Sequence, residues 1–374
     1  MRDVVVVGAG HIGSTIALLL SEAGNYRIIV ADRDAKALAE MSTLPRVEHR
    51  VLDVADALAL AELLRDKFAV LSAAPYYLTF NVAQAAKSAG AHYLDLTEDV
   101  ACTRKVKALA EGATNAFIPQ CGLAPGFISI VAADLARDFD TLHDVRLRVG
   151  ALPKYPSNAL NYNLTWSTDG VINEYCEPCE AIVDGLLRQT RALEELEAFS
   201  LDGVTYEAFN TSGGLGTLCE TLAGRVRSLN YRTIRYPGHA AIMKALLNDL
   251  RLRDRRDLLK DILEQSLPAT LQDVVIVFVT VSGLKGGHLI QETYANKIYA
   301  RQIGERTISA IAVTTASAIC AVLDLLSAGQ LTTRGFVRQE EIGLPQFLAN
   351  RFGATYAMPK VGAETPTPVL AAVA

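Results

Sequence analysis

Four valines, Val4 to Val7, run straight into Gly8-Ala9-Gly10-His11-Ile12-Gly13, and a helical pattern rich in Ile, Ala and Leu follows at once. No other stretch restricts the fold as strongly. A strand that ends on glycines spaced this way and re-enters as a helix leaves unpaired backbone N–H groups at the helix N-terminus, where a phosphate can sit. Gly8 is expected to make the tight turn, Gly10 to let the backbone approach a pyrophosphate, and Gly13 to let the helix pack on the strand, with His11 and Ile12 between them at the cofactor. A second strand, Tyr26 to Ala31, ends on Asp32, close to the ~20-residue spacing at which an acid meets the ribose. A carboxylate there accepts from ribose hydroxyls and repels a 2′-phosphate, so NAD is the expected cofactor. Arg33 leaves open a second role, since a guanidinium there could hold that phosphate or stack on adenine.

The strand and helix patterns keep alternating. Val47 to Val54 reads as a third strand ending near Asp53, Phe68 to Ala74 as a fourth, His92 to Leu96 as a fifth and Ala116 to Gln120 as a sixth. That alternation means an α/β chain with a doubly wound parallel (Rossmann) sheet. Ligands of such sheets bind beyond the carboxyl ends of the strands. Asp53 and the stretches Ser72 to Tyr77 (with Ala73, Ala74 and Pro75), Asp95 to Asp99 and Gln120 to Pro125 are therefore expected around the cofactor. From Leu142 the pattern turns to longer alternating strands, which predicts a second, α+β substrate domain on a mixed sheet. The uncharged run from Thr307 and the segment Thr332 to Phe352 are expected to return to the first domain. This gives a discontinuous nucleotide domain, 1–126 and 302–374, around a substrate domain, 127–301, with a weakly structured tail from Pro359.

Composition narrows the partners. The 374 residues are 50% hydrophobic with a formal net charge of −5 and no basic block, which disfavours nucleic acid and anionic membranes and leaves a small molecule as the default ligand. The run Thr307 to Leu323 carries Ser309, Thr314, Thr315 and Ser317 and is shorter than the ~20 apolar residues a bilayer needs, so it reads as a buried helix. No signal-peptide pattern precedes the first strand, which makes the cytoplasm the expected location. Of the six cysteines only Cys176 and Cys179, in CEPC, have a suggestive spacing. No further ligands lie nearby, so reduced thiols and no metal are expected. A homodimer or homotetramer is the expected assembly.

Six stretches then carry a family likeness: GAGHIG, YLDLTED, GLAPGF, LNYNLTWSTDGVINEY, NTSGG and NYRTIRYPGH together resemble the saccharopine dehydrogenase family over nearly the whole chain. The resemblance implies oxidation of a carbon bearing an amine nitrogen. Members include saccharopine dehydrogenase (glutamate-forming), carboxynorspermidine dehydrogenase and L-lysine 6-dehydrogenase. An NAD-dependent lysine 6-dehydrogenase is the leading expectation, beside saccharopine dehydrogenase and a non-catalytic NAD-binding sensor.

Such chemistry needs a base to take the ammonium proton and a cation for the substrate carboxylate. In NYRTIRYPGH, Arg235 offers the cation, with Arg232 competing, and His239 offers proton transfer. Asp95 and Glu98 offer carboxylates at the end of the fifth strand, against the plainer role of helix capping. Asn163, with Asn161 and Ser167, offers hydrogen bonds to the α-amino group and Trp166 a wall, although a core aromatic among turn formers accounts for the same letters. Thr211 and Ser212, before two glycines, offer either an approach to ligand or a plain turn. In GLAPGF the resemblance implies that saccharopine dehydrogenases carry an acid where Ala124 stands and a lysine aligned near Gln84 or Lys87. Ala124 cannot exchange a proton, which favours lysine.

Overall fold

The computed structural model describes residues 1–358, and the tail from Pro359 lies outside them. Val4 and Val6 bury into one core and Val5 and Val7 into another, because successive side chains of a strand face opposite sides of its sheet. A strand covered on both faces reads as an unbroken apolar run. This strand, β1 (Arg2–Val7), lies in a seven-stranded sheet with β2 (Tyr26–Asp32), β3 (Val47–Val51), β4 (Ala69–Ser72), β5 (His92–Asp95) and β6 (Ala116–Ile118). The order is β3-β2-β1-β4-β5-β6, all parallel, with the short strand Gly335–Phe336 added beyond β6. The sheet is the doubly wound one expected. Its order reverses at β1, so the crevice for a ligand opens between the carboxyl ends of β1 and β4.

The second sheet is mixed. Its strands are β7 (Thr141–Pro153), β8 (Cys179–Val183), β9 (Leu186–Thr190), β10 (Glu197–Leu201), β11 (Val204–Asn210), β12 (Val226–Arg235), β13 (Asp273–Lys285) and β14 (His288–Tyr299). They run β10-β11-β12-β7-β13-β14, with β12 and β7 parallel and the other neighbours antiparallel, while the β8–β9 hairpin joins β12 at its side. Two hairpins turn on Asp-Gly pairs, Asp184-Gly185 (φ 51° and 77°) and Asp202-Gly203 (φ 54° and 74°). Two left-handed residues in succession make the tight turn that matches strand twist.

Two segments tie the sheets together. GLAPGF crosses between them, and Gly126 (φ +131°) is needed there because a Cβ would stand 2.1 Å from the Gly122 carbonyl oxygen. Helix Phe127–Ala136 follows at once, and Phe127 stacks on Tyr356 with ring centroids 3.9 Å apart. The uncharged stretch forms helix Ala310–Ser327, mostly buried, packed on helix His11–Ala23 and on β13. Its N-terminus is held by Asp273 of β13, which accepts from the Ala310 and Ile311 N–H groups. Near its other end Asp324 accepts from Tyr26 (2.7 Å) and pairs with Arg351 (2.7 Å). The chain after residue 302 thus contacts both sheets.

Candidate active site

A cleft of about 1520 Å³, open solvent at its mouth included, runs along the carboxyl ends of β1, β2, β4 and β5 and under one face of the mixed sheet. Its cofactor end is built as the glycine spacing requires. A Cβ on Gly13 would stand 1.9 Å from the Gly8 carbonyl oxygen, and one on Gly8 would stand 2.7 Å from that of Ala73, so helix and strands meet at backbone contact. At Gly10 nothing lies within 4 Å of an added Cβ, and helix His11–Ala23 has no side-chain cap. The first-turn N–H groups therefore face open space, which suits a pyrophosphate. Asp32 lines the cleft and is fixed by the Ala9 N–H (2.6 Å) and the Asp34 N–H (2.8 Å), so its orientation is set by backbone. Ile12, Ala73, Ala74 and Pro75 complete this wall. These residues fit a nicotinamide dinucleotide.

At the substrate end, Val149 and Ala151 of β7 and Tyr231, Thr233 and Arg235 of β12 face the cleft together. They alternate along their strands and so share one face of the sheet. Arg232, one residue out of register with them, is held by Glu195 and Glu197 instead. Arg235 is 2% exposed. Its Nε donates to Tyr175 Oη (3.0 Å) and its Nη1 to Thr233 Oγ1 (3.1 Å) and the Ile234 carbonyl (2.9 Å), while Nη2 has no partner among the described residues. Glu98, after β5, and Glu174, on helix Thr168–Cys176, line the same cleft. Burial, with Asp99 and Asp95 nearby, pushes the Glu98 carboxyl up to about 7. Burial and the Glu98 charge push Glu174 well above the usual range, against the pull of Arg235. Trp166 lines the cleft too, and Gly170 is a glycine because a Cβ would lie 2.4 Å from that indole ring.

Several expected residues stand elsewhere. His239 is 1% exposed and lies behind Arg235: its Nδ1 faces the Leu160 carbonyl (2.9 Å) and its Nε2 faces Tyr175 Oη (3.0 Å). A carbonyl can only accept, so Nδ1 carries the proton, Tyr175 donates to Nε2, and Tyr175 in turn accepts from Arg235. Burial and the Arg235 charge drop the His239 pKa to about 3, so the ring stays neutral and positions Tyr175 and Arg235 without exchanging protons. Asp95 is fully buried and ties β5 to the crossing segment, accepting from Tyr93 Oη (2.6 Å) and the N–H groups of Thr97 (3.0 Å) and Gln120 (2.8 Å). It is a brace away from the cleft. Asn163 accepts from Asn158 (3.1 Å) and does not reach the cleft. Tyr77 is 62% exposed, and its neighbour Tyr76 lines the wall.

Thr211 and Ser212 also stay back from the cleft. Their turn packs its walls: a Cβ on Gly213 would lie 2.3 Å from the Glu98 carbonyl oxygen and one on Gly214 2.3 Å from the Tyr231 ring. His11 and Arg33 are solvent-exposed outside the cleft, and Ser72 is buried beneath it. Asp53 is exposed past the end of β3 and caps the Ala55 N–H (2.9 Å). Gln84 is exposed, and Lys87 reaches the Leu109 carbonyl (2.5 Å), so neither side chain faces the cleft. Cys176 and Cys179 are free thiols.

Tyr76, within the expected stretch Ser72 to Tyr77, lines the cleft, and so do Glu174, Thr233, Ile311 and Thr315, which the sequence did not single out. Glu174 left a trace, since Ser167, Gly170 and Glu174 recur at i, i+3 and i+7, one face of a helix. Ile311 and Thr315 left none, because they reach the site from a helix nearly two hundred residues after the cofactor strands.

Comparison with known proteins agrees with this architecture. Residues 4–118 match the family model of the saccharopine dehydrogenase NADP binding domain, and residues 122–352 match that of the saccharopine dehydrogenase C-terminal domain. The mitochondrial alpha-aminoadipic semialdehyde synthase of Mus musculus is 23% identical over 191 residues, 49% of this chain and 21% of that protein's length. Among solved structures, saccharopine dehydrogenase (L-Glu forming) from Saccharomyces cerevisiae superposes with a TM-score of 0.76 at 16% identity, covering 95% of this chain and 96% of that one. The DAP dehydrogenase of C. glutamicum, in complex with DAP, gives 0.50 at 13% identity over 92% and 95%. With both family models matched in sequence order and the dinucleotide crevice opening onto a mixed-sheet wall, the chain belongs to the saccharopine dehydrogenase family.

Proposed function

We propose that this protein is an NAD-dependent L-lysine 6-dehydrogenase that oxidises the ε-amine of lysine to 2-aminoadipate 6-semialdehyde and releases ammonia. The charge of the substrate end carries this reading. Among the described residues that line the cleft Arg235 is the one guanidinium and none is a lysine, while Glu98 and Glu174 face it as carboxyl groups. One cation suits the single carboxylate of lysine, and acids suit its ammonium groups. The three carboxylates of saccharopine would meet one cation among acids. Ala124 lines the wall in GLAPGF and offers no proton. The name of the mouse relative concerns the same semialdehyde.

A second reading, glutamate-forming saccharopine dehydrogenase, is favoured by the likeness to the yeast structure over almost the whole chain. Incubation of the purified protein with NAD and either L-lysine or saccharopine, measuring NADH, ammonia and glutamate, tests the two. Ammonia from lysine is expected. Glutamate from saccharopine, with no ammonia from lysine, would overturn the choice.

In this reading Glu98 takes the ε-ammonium proton, since only a neutral amine can release hydride from its carbon. The bound nicotinamide supplies the hydride acceptor, held by Gly8, Gly10, Gly13 and Asp32. After that proton passes to solvent, the regenerated carboxylate takes a proton from the water that attacks the substrate iminium and returns it to the nitrogen, and the carbon–nitrogen bond breaks to give the aldehyde and ammonium. Overall, the ammonium form of lysine, water and NAD give aldehyde, ammonium, NADH and one proton. Arg235 holds the α-carboxylate and the Trp166 ring walls the chain.

Two expected results follow here. Asp32→Ala should raise the Michaelis constant for NAD by about ten- to hundred-fold, the scale of a lost charge-assisted hydrogen bond, and narrow the preference over NADP. Equal turnover of NAD and NADP by the unaltered protein would refute the NAD assignment. His239→Ala should leave the pH–rate profile in place, because the ring is neutral throughout, while raising KM for lysine about fivefold through a loosened Arg235. A lost ionisation in that profile would return His239 to proton transfer.

A further inference from the structure

Among the described residues four carboxyl side chains are buried: Asp95, Glu174, Glu207 and Asp273. Three of them are satisfied. Asp95 accepts from Tyr93, Thr97 and Gln120, Glu207 from the Gly238 (2.9 Å) and Ala240 (2.6 Å) N–H groups, and Asp273 from Ala310 and Ile311. Glu174, 7% exposed and lining the cleft, accepts no hydrogen bond from another described side chain or backbone group. An unpaired buried carboxyl is costly unless a partner arrives. Asp169, on the same helix, is paired with Lys260 (2.7 Å), so the helix does not simply carry spare acids.

The position of Glu174 is fixed from both sides. Its carbonyl accepts from the Ser212 N–H (3.0 Å), and its chain neighbour Tyr175 accepts from Arg235 Nε (3.0 Å). One residue therefore links the unmatched carboxyl of Glu174 to the unmatched Nη2 of Arg235, and the two face the same cleft without pairing with each other. A carboxyl and a guanidinium side by side, each with hydrogen-bonding capacity unmatched among the described residues, are the complement of a zwitterionic head group. Both belong to the substrate domain, whereas Glu98 follows β5 of the dinucleotide sheet.

We propose that Arg235 and Glu174 form a two-point seat for an α-amino-acid head group, Arg235 taking the carboxylate and Glu174 the α-ammonium, which leaves Glu98 to the reacting amine. This deepens the lysine reading and rests on it only in taking the substrate to be an α-amino acid. The seat sets specificity: a ligand with the same chain but no α-amino group makes one contact where lysine makes two.

The test is calorimetric titration of the NADH-saturated protein with L-lysine and with 6-aminohexanoate, which lacks only the α-amino group. The unaltered protein should prefer lysine by about tenfold or more, and Glu174→Gln, which keeps the shape, should bring the two within about threefold. Glu98→Gln should keep the preference. An unchanged ratio in Glu174→Gln overturns the proposal. So does an unaltered protein that binds both ligands equally, a result that needs no variant to fold. Turnover of saccharopine but not lysine overturns the substrate reading alone, whereas the ligand ratio judges the head-group seat whichever amino acid is oxidised.

Discussion

Replacing Glu98 by glutamine is expected to lower kcat/KM for the amine substrate by about 10²- to 10⁴-fold, the usual contribution of a positioned acid–base group. Glutamine keeps the shape and cannot take a proton. The pH dependence distinguishes this loss from a packing defect. The ionised carboxylate is the active form, and burial has pushed its pKa up to about 7. Activity of the unaltered protein should therefore rise as pH increases through about 7 and fall below it. In Glu98→Gln that limb should vanish from the residual activity, while NAD affinity stays close to its original value. A variant that retained both full activity and the limb would remove Glu98 from the chemistry and turn attention to Glu174, whose carboxyl burial also pushes well above the usual range.

Replacing Arg235 by alanine is expected to weaken lysine by about 1.5–3 kcal/mol, roughly ten- to hundred-fold in KM, the cost of losing a charged hydrogen-bond partner. NAD binding should change little, since the dinucleotide wall shares no residue with this one. The change also strands Tyr175 Oη and Thr233 Oγ1, which accept from the guanidinium, so some loss of Tm should accompany the kinetic effect. Arg235→Lys should not restore affinity, because a single ammonium cannot both hold Tyr175 and Thr233 and present a free donor to the cleft. Full rescue by lysine would show that only the charge mattered. An effect on NAD as large as that on lysine would point instead to a general loosening of the cleft.

Much of the fold was legible because its signals are local. The run of valines, the glycine spacing and Asp32 fix β1, the following helix and β2 by backbone sterics and period alone, and the structure builds them as read. The Asp184-Gly185 turn was equally local and was passed over, although an Asp-Gly pair between Val183 and Leu186 is a strong hairpin signal. The choice between Arg232 and Arg235 was also available in the sequence. Tyr231, Thr233 and Arg235 share one strand face by parity, and Arg232 does not. His239 shows the limit of such reading. Its spacing after Arg235 resembles an acid–base pair, but whether its ring meets solvent or the back of a tyrosine depends on Leu160 and Tyr175, which are remote in sequence.

What the sequence determined by itself was the doubly wound dinucleotide sheet, the mixed second sheet and the cofactor glycines, because strand period, helix period and the steric freedom of glycine act over a few residues. What only the tertiary structure decided was which charged groups meet in the cleft. Asp95, Glu98 and Asp99 lie within five residues, yet one is a buried brace, one a cleft acid and one the cap of helix Val100–Leu109. Asp169, Glu174, Tyr175, Thr233, Arg235 and His239 sort in the same way, into ion pair, unpaired acid, connector and positioning ring. The physical reason is that burial and unmatched hydrogen-bonding capacity arise only where separate elements converge, and these set the ionisation of a side chain and the ligand it can hold.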